Sequence, residues 1–160
     1  MVNRLPHESR IIVDADACPV KTEIVQVATE FKVPVLFIAS FAAYQNEAEQ
    51  TDLVRFIYVD QGFQLADMYI ANTARSGDIV VTNDYGLAAL CLPRGAWVLT
   101  PRGKELDGHN MDELLAQRHV SSKARRAGQR TKGPRAMTAL DREHFQHKLT
   151  KLLQMGRRTS

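Results

Sequence analysis

Apolar residues come in two rhythms along this chain, and the rhythms alternate. Ile11-Ile12-Val13 is a short β-branched run ending at a carboxylate pair, the pattern of a strand buried on both faces. Ile24, Val25, Val27, Ala28 and Phe31 then recur at helical spacing, and Pro19 falls where the first turn of that helix tolerates a proline. Val33 to Ala39 predicts a second strand, its Pro34 near the start where a missing N–H does least harm. Leu53 to Val59 predicts a third, closed by the turn signal Asp60-Gln61-Gly62. The stretch from Phe63 to Ala74 reads as a helix holding Asp67, with Arg75 in its last turn and Gly77 near its cap. Asp78 opens a strand through Ile79-Val80-Val81-Thr82 that leaves toward Asn83-Asp84. A short helix from Tyr85 to Leu92 stops at Pro93 and Gly95, and Trp97-Val98-Leu99 is the last strand, broken by Pro101-Arg102-Gly103. Residues 40–50 are polar and fit neither rhythm.

Strand and helix in alternation predict an α/β fold with an open, mostly parallel sheet and helices on both faces. Sheets of this kind bind ligands at the carboxyl ends of their strands, near a topological switch point. After residue 108 the pattern turns helical. Asn110 is placed to cap one helix, with Glu113 three residues on, and Thr138 to cap a final one from Ala139 to about Leu153. Between them, residues 118–135 carry Gly128 and Gly133-Pro134 and read as an arm or loop. A length of 160 residues suits one hydrophobic core. The expected division is residues 1–116 as the α/β domain and 117–160 as a basic arm and C-terminal helix packed into the same domain.

Charge sharpens this division. The net charge is only +3, yet residues 1–116 hold 9 basic and 16 acidic side chains, whereas residues 117–160 hold 12 basic and 2 acidic. No acid occurs from Arg118 to Arg135, a footprint suited either to phosphate contact or to a solvated surface. No apolar run approaches the roughly 20 residues that span a bilayer. Met1 to Arg10 lacks the apolar stretch of a signal peptide, so a cytoplasmic location and no membrane partner are expected. Two cysteines, Cys18 and Cys91, are too few for a disulfide scaffold and have no zinc-ligand spacing.

The candidate chemistry lies at strand ends. Asp14 and Asp16 follow the first strand, Asp84 follows a later one, and chain topology brings such ends together. Asp67, in the first turns of its helix, starts on the same side of the sheet. Clustered carboxylates repel one another unless a cation joins them, and hard ions such as Mg2+ or Mn2+ take carboxylates, water and phosphate oxygens. A lone strand-end Asp is more often a turn or cap residue, so the argument rests on the group. Asp78, at the opposite end of its strand, reads as structural, and Asp60 as plain turn chemistry or a secondary candidate. Thr82 and Asn83 flank Asp84 as groups to orient water or phosphate, or as local caps. Cys18 has no evident basic partner, and His144 and His147 sit on a basic helix without acids or cysteines beside them. The scattered Tyr44, Tyr58, Tyr69 and Tyr85 read as packing residues.

The run Ile11-Ile12-Val13-Asp14-Ala15-Asp16-Ala17-Cys18-Pro19-Val20, followed by Ala66-Asp67, Gly77-Asp78-Ile79-Val80-Val81-Thr82-Asn83-Asp84 and Lys132-Gly133-Pro134, resembles the YaiI/YqxD family of bacterial proteins over nearly the whole chain. More distantly the chain is similar to the PIN and NYN group of nuclease-like domains. That resemblance implies a PIN-like three-layer domain followed by a basic helical extension, with acids around one or two divalent ions. It implies that Asp14 is the acid after the first strand, Asp67 the acid of the central helix and Asp84 the acid of a strand-end Thr-x-Asp pattern, all three metal ligands. Asp16 then joins them as a further ligand or neighbouring group, and the four are the implied catalytic residues. The fuller set of glutamates of some such nucleases is missing, which leaves the number of metals open.

Three functions compete. In a metal-dependent nuclease acting on RNA, the aspartates hold Mg2+ or Mn2+, and Arg118, Lys123, Arg125, Arg126, Arg130, Lys132 and Arg135 hold the strand by its phosphates. In a phosphohydrolase of the haloacid-dehalogenase type, which Asp14-Ala15-Asp16 resembles, Asp14 is the nucleophile and Asp16 the acid and base. Against this stand Cys18, where that group has Thr or Val, and the lack of a convincing strand-end hydroxyl and lysine. The third is a nucleic-acid-binding or regulatory protein without turnover, which the basic segment supports equally well.

Overall fold

The structure is a computed structural model, and it describes residues 9–40, 51–60, 65–113, 116 and 136–158. Its centre is β1 (Ile11–Asp14), whose Ile11, Ile12 and Val13 have no exposed surface. A strand covered on both faces needs apolar side chains at every position, which is why the alternation of a half-exposed strand is missing here. β1 pairs in parallel with β2 (Val35–Ser40) on one side and with β4 (Ile79–Val81) on the other. Outside β2 lies β3 (Val54–Val59) and outside β4 lies β5 (Trp97–Leu99), both parallel to their neighbours. A two-residue β6 (Glu105–Leu106) adds antiparallel to β5, giving the order β3-β2-β1-β4-β5-β6. The chain thus runs outward from β1 to β3 and then crosses back to β4, so the switch point lies between β1 and β4.

Helices cover both faces and make three layers. α1 (Lys21–Phe31) and α5 (Ala139–Arg158) share one face, where Ile24, Val27, Phe145 and Leu149 pack with Ile11, Val13 and Phe37. α2 (Leu65–Thr73) and α3 (Tyr85–Cys91) cover the other, where Ile70, Leu87 and Ala88 pack with Ile12, Ile38 and Val80. A further helix, α4, occupies residues 108–113 before α5. Phe145 and Leu149 of α5 are fully buried, so the C-terminal helix is part of the core despite its basic composition. Thr138 caps α5 as its spacing predicts: its Oγ1 accepts from the Asp141 N–H at 3.1 Å, and Asp141 Oδ2 accepts in return from the Thr138 N–H at 3.1 Å. Among the described residues, no helix is long and apolar enough to cross a membrane.

Several local expectations need correction. Trp97-Val98-Leu99 is not the last strand, because the turn at Pro101 to Gly103 reverses the chain into β6 instead of ending the sheet. Gly103 adopts φ 88°, and a Cβ there would meet the α5 backbone at 3.0 Å, so the turn is seated directly on α5. Pro19 precedes α1, whose cap is Val20, instead of lying in its first turn. α2 ends at Thr73, which puts Arg75 in the following turn. Pro93 does not stop α3 but sits in a 3-10 turn, Leu92–Arg94, that continues it to Gly95. Asp107, not Asn110, caps α4: its Oδ1 accepts from the N–H groups of His109 at 2.8 Å and Asn110 at 2.9 Å, while Asn110 Oδ1 accepts from the Asp107 N–H at 3.0 Å. The chain leaves β6 at Asp107, so the helix begins three residues earlier than Asn110 would allow. α5 extends past Leu153 because nothing in the sequence breaks it before Arg158.

The amino end of the sheet is fixed by one buried acid, as the position of Asp78 suggests. Its carboxylate, with no exposed surface, accepts from the Arg10 N–H at 3.2 Å, from Arg10 Nη2 at 2.8 Å and from the Arg75 N–H at 2.9 Å. Asp78→Ala leaves two N–H groups without their acceptor and the Arg10 guanidinium with the Thr73 carbonyl at 3.0 Å in place of its counter-ion, a loss on the order of 3–5 kcal/mol for a broken buried pair. Urea denaturation should show this loss, and a change below about 1 kcal/mol would mean that water readily replaces the carboxylate.

Candidate functional site

The carboxyl edge of β1 and β4 gathers the acids. Val13 is the register partner of Val81, so the next residues, Asp14 and Thr82, stand side by side where the strands end. Thr82 is 2% exposed, and its Oγ1 donates to Asp14 Oδ2 at 3.0 Å while accepting from the Asp84 N–H at 3.0 Å. One hydroxyl therefore fixes both the strand-end acid and the turn that carries the next one. Asp84 caps α3: its Oδ1 accepts from the N–H groups of Gly86 at 2.8 Å and Leu87 at 3.2 Å. Asp67, in the first turn of α2, comes from the other side and shares a hydrogen bond with Asp84. Asp16 lies in the 3-10 turn Ala15–Ala17 that follows β1, exposed, with its Oδ1 accepting from the Ser40 N–H at 3.0 Å. The turn is thereby latched to the end of β2.

The electrostatics follow from this crowding. Burial raises the Asp14 carboxyl above its ordinary value, the charges of Asp16 and Asp84 add to the rise, and the Thr82 hydroxyl opposes it. Asp67 is pushed up to about 6, first by burial, then by the charge of Asp84, the hydrogen bond shared with it, and the charge of Asp14. Asp67 thus senses Asp84 and Asp14, and Asp14 senses Asp84, from three separate elements. Among the described residues, no group of three or more His, Cys, Asp or Glu side chains is placed so that it could hold a metal ion by itself. The donors are all hard oxygens, which fits an ion such as Mg2+ that keeps much of its water and takes one or two carboxylates.

The remaining candidates separate cleanly. Asp60 follows the outermost strand and is exposed, away from β1 and β4. Burial pushes the Cys18 thiol and the Cys91 thiol each up to about 11, opposite to what a nucleophile needs. His144 and His147 are exposed on α5. Arg118, Lys123, Arg125, Arg126, Arg130, Lys132 and Arg135 lie outside the described residues. The sequence reading missed Ser40, a strand-end residue beside Asp16. Its signal was that it ends an apolar run just as Thr82 does, but it was read as the start of the polar stretch 40–50.

A carboxyl whose folded-state pKa is raised holds its proton more tightly in the folded protein. The stability it contributes is present below its ordinary value of 3.8 and is lost as the pH rises through about 6. In chelator, the melting temperature of the wild type should therefore fall between about pH 4 and pH 7 more steeply than that of Asp67→Asn. Identical pH profiles would show that neither burial nor its neighbours' charges raise the Asp67 carboxyl.

Comparison with known proteins places this geometry in a lineage. No solved structure matches the chain. A UPF0178 protein of Bacillus cytotoxicus is 46% identical over 145 residues, covering 91% of this chain and 93% of the relative. One from Halalkalibacterium halodurans is 48% identical over 143 residues, 89% of each. One from Bacillus pumilus is 46% identical over 152 residues, 95% of this chain and 90% of the relative. The family described as "Uncharacterized BCR, YaiI/YqxD family" matches residues 12–155, from β1 to the last turns of α5, and the chain belongs to that family.

Proposed function

We propose that this protein is a metal-dependent nuclease that cleaves phosphodiester bonds of RNA. The observation carrying this reading is the meeting of Asp14, Asp67 and Asp84 at the switch point of a parallel sheet, where Asp67 shares a hydrogen bond with Asp84 and burial, then like charge, raises the carboxyls of Asp67 and Asp14. Structural carboxylates are normally separated or paired with cations, and a cluster that destabilises itself fits a bound positive charge. The three-layer fold is consistent with a PIN-like domain.

In this reading Asp14, Asp67 and Asp84 hold Mg2+ or Mn2+. When bound, the ion lowers the pKa of water and neutralises charge on the phosphodiester. Thr82 keeps Asp14 turned toward the edge, and the α3 cap keeps Asp84 in place. Asp16, exposed and latched to Ser40, accepts a proton from the attacking water. The basic residues Arg118 to Arg135 hold the strand through its phosphates, giving salt-dependent affinity with little sequence choice.

Calorimetric titration of Mn2+ into wild type and Asp14→Asn, followed by single-stranded RNA, tests the assignment. The variant should lose metal binding, and its cleavage rate should drop on the order of a hundredfold or more, the scale for removing one electrostatic stabiliser at a reacting centre. Unchanged manganese-dependent cleavage in Asp14→Asn would sink the assignment. RNA bound by the wild type yet intact after long incubation with Mn2+ would instead identify a binding protein.

A further inference from the structure

The face of the sheet under α1 holds a groove that the carboxylates do not use. Its volume is about 590 Å³, within the size range of small-molecule pockets and ample for one nucleoside. Phe37, Val54 and Phe56 of the outer strands form one wall, and Cys18, Lys21 and Gln26 form the other. Phe37 and Phe56 are register partners on neighbouring strands, so their rings rise from the same face one strand spacing apart. The ring centroids are 4.8 Å apart and the planes differ by 17°, a stacked pair. Tyr58, two residues along β3, extends the row with its ring 6.2 Å from Phe56 at 14°. Because β3 is the outermost strand and Phe56 is only half-buried, this row of parallel rings ends at the margin of the sheet.

The two walls differ in chemistry. One is aromatic and aliphatic, and the other carries the Lys21 ammonium and the Gln26 amide among Pro19, Thr22 and Val25. An apolar peptide would leave Lys21 and Gln26 unmatched, whereas a nucleotide presents a flat face, a polar edge and a phosphate. The groove lies near the first of the acids: Cys18 on its wall is four residues after Asp14, and its thiol senses the charges of both Lys21 and Asp14.

We propose that this groove is a base-binding subsite that takes one unpaired nucleobase of single-stranded RNA, stacked against Phe56, with its polar edge toward Gln26 and its phosphate toward Lys21. The inference rests on the RNA substrate proposed above and adds the place where a base beside the cleaved bond is held. Stacking on an aromatic ring accepts any base, so the subsite adds affinity for unpaired strands without sequence choice.

The test uses the full chain in chelator, where cleavage is absent, and a short single-stranded RNA carrying 2-aminopurine. Phe56→Leu keeps apolar volume and removes the ring, and should weaken binding between about fivefold and a hundredfold, the measured range for loss of one stacked base. The fluorescence quenching of 2-aminopurine on binding should vanish with it. Gln26→Ala, at an exposed helix position that cannot unsettle the core, should weaken binding a few-fold and carries the test if Phe56→Leu melts early. Wild-type RNA binding that neither substitution alters would overturn the subsite, even if manganese-dependent cleavage stands. Phe56-dependent binding of RNA that stays intact in Mn2+ would support the subsite while removing the nuclease reading. An amphipathic peptide bound in a Phe56-dependent way, with RNA binding indifferent to Phe56, would overturn it in favour of a protein partner.

Discussion

The register between β1 and β4 is the constraint on which the carboxyl edge depends. Ile11, Ile12 and Val13 pair in step with Ile79, Val80 and Val81, and only this alignment sets Asp14 beside Thr82. A slip by one residue would turn the apolar side chains of either strand to the wrong face, and both faces here are core. The alignment is held at its other end by Asp78, which ties the start of β4 to Arg10 at the start of β1. A structural ion pair at the amino edge therefore guards the geometry of the acids at the carboxyl edge, without taking part in their chemistry.

At that edge the acids are not equivalent. Asp84 has its negative charge supported by two N–H groups at the start of α3, and Asp14 by the Thr82 hydroxyl. Asp67, raised first by burial and then by these two charges, is pushed up to about 6. The fold thus spends some stability to hold like charges together, which is the usual compromise at sites selected for something other than stability.

The parts of this arrangement that show in the sequence are those set by local composition. A β-branched run ending in Asp-x-Asp announces a buried strand and its polar edge, and Thr138 with Asp141 three residues later announces a helix start. What stays hidden depends on partners distant along the chain. β6 is two residues long and exists because β5 offers it an edge; Asp107 outcompetes Asn110 as a cap because of where β6 ends; Ser40 matters through a contact with Asp16, 24 residues earlier. The convergence of Asp67 on Asp84 was predictable from topology, but the direction of its pKa shift required burial, which periodicity does not give. The stacking of Phe37 on Phe56 likewise depends on the β2–β3 register and is invisible in composition.

The C-terminal helix is anchored to the same side of the sheet as the acids. Arg142, in the first turns of α5, donates to the Pro19 carbonyl at 2.7 Å and pairs with Glu23 of α1 at 3.1 Å. Arg102, in the turn after β5, pairs with Asp141 at 2.7 Å. Pro19 follows β1 and Arg102 follows β5, so both anchors lie on the carboxyl side of the sheet, the side of Asp14 and Asp84. α5 therefore begins on the carboxyl side of the sheet. Surface ion pairs add little stability individually, about 0–1 kcal/mol each, but here their value is positional. The buried Phe145 and Leu149 hold α5 to the core, and Arg142 and Asp141 fix which end of it lies on the carboxyl side of the sheet. The clamp thus sets the amino end of α5 on the same side of the sheet as the carboxylates.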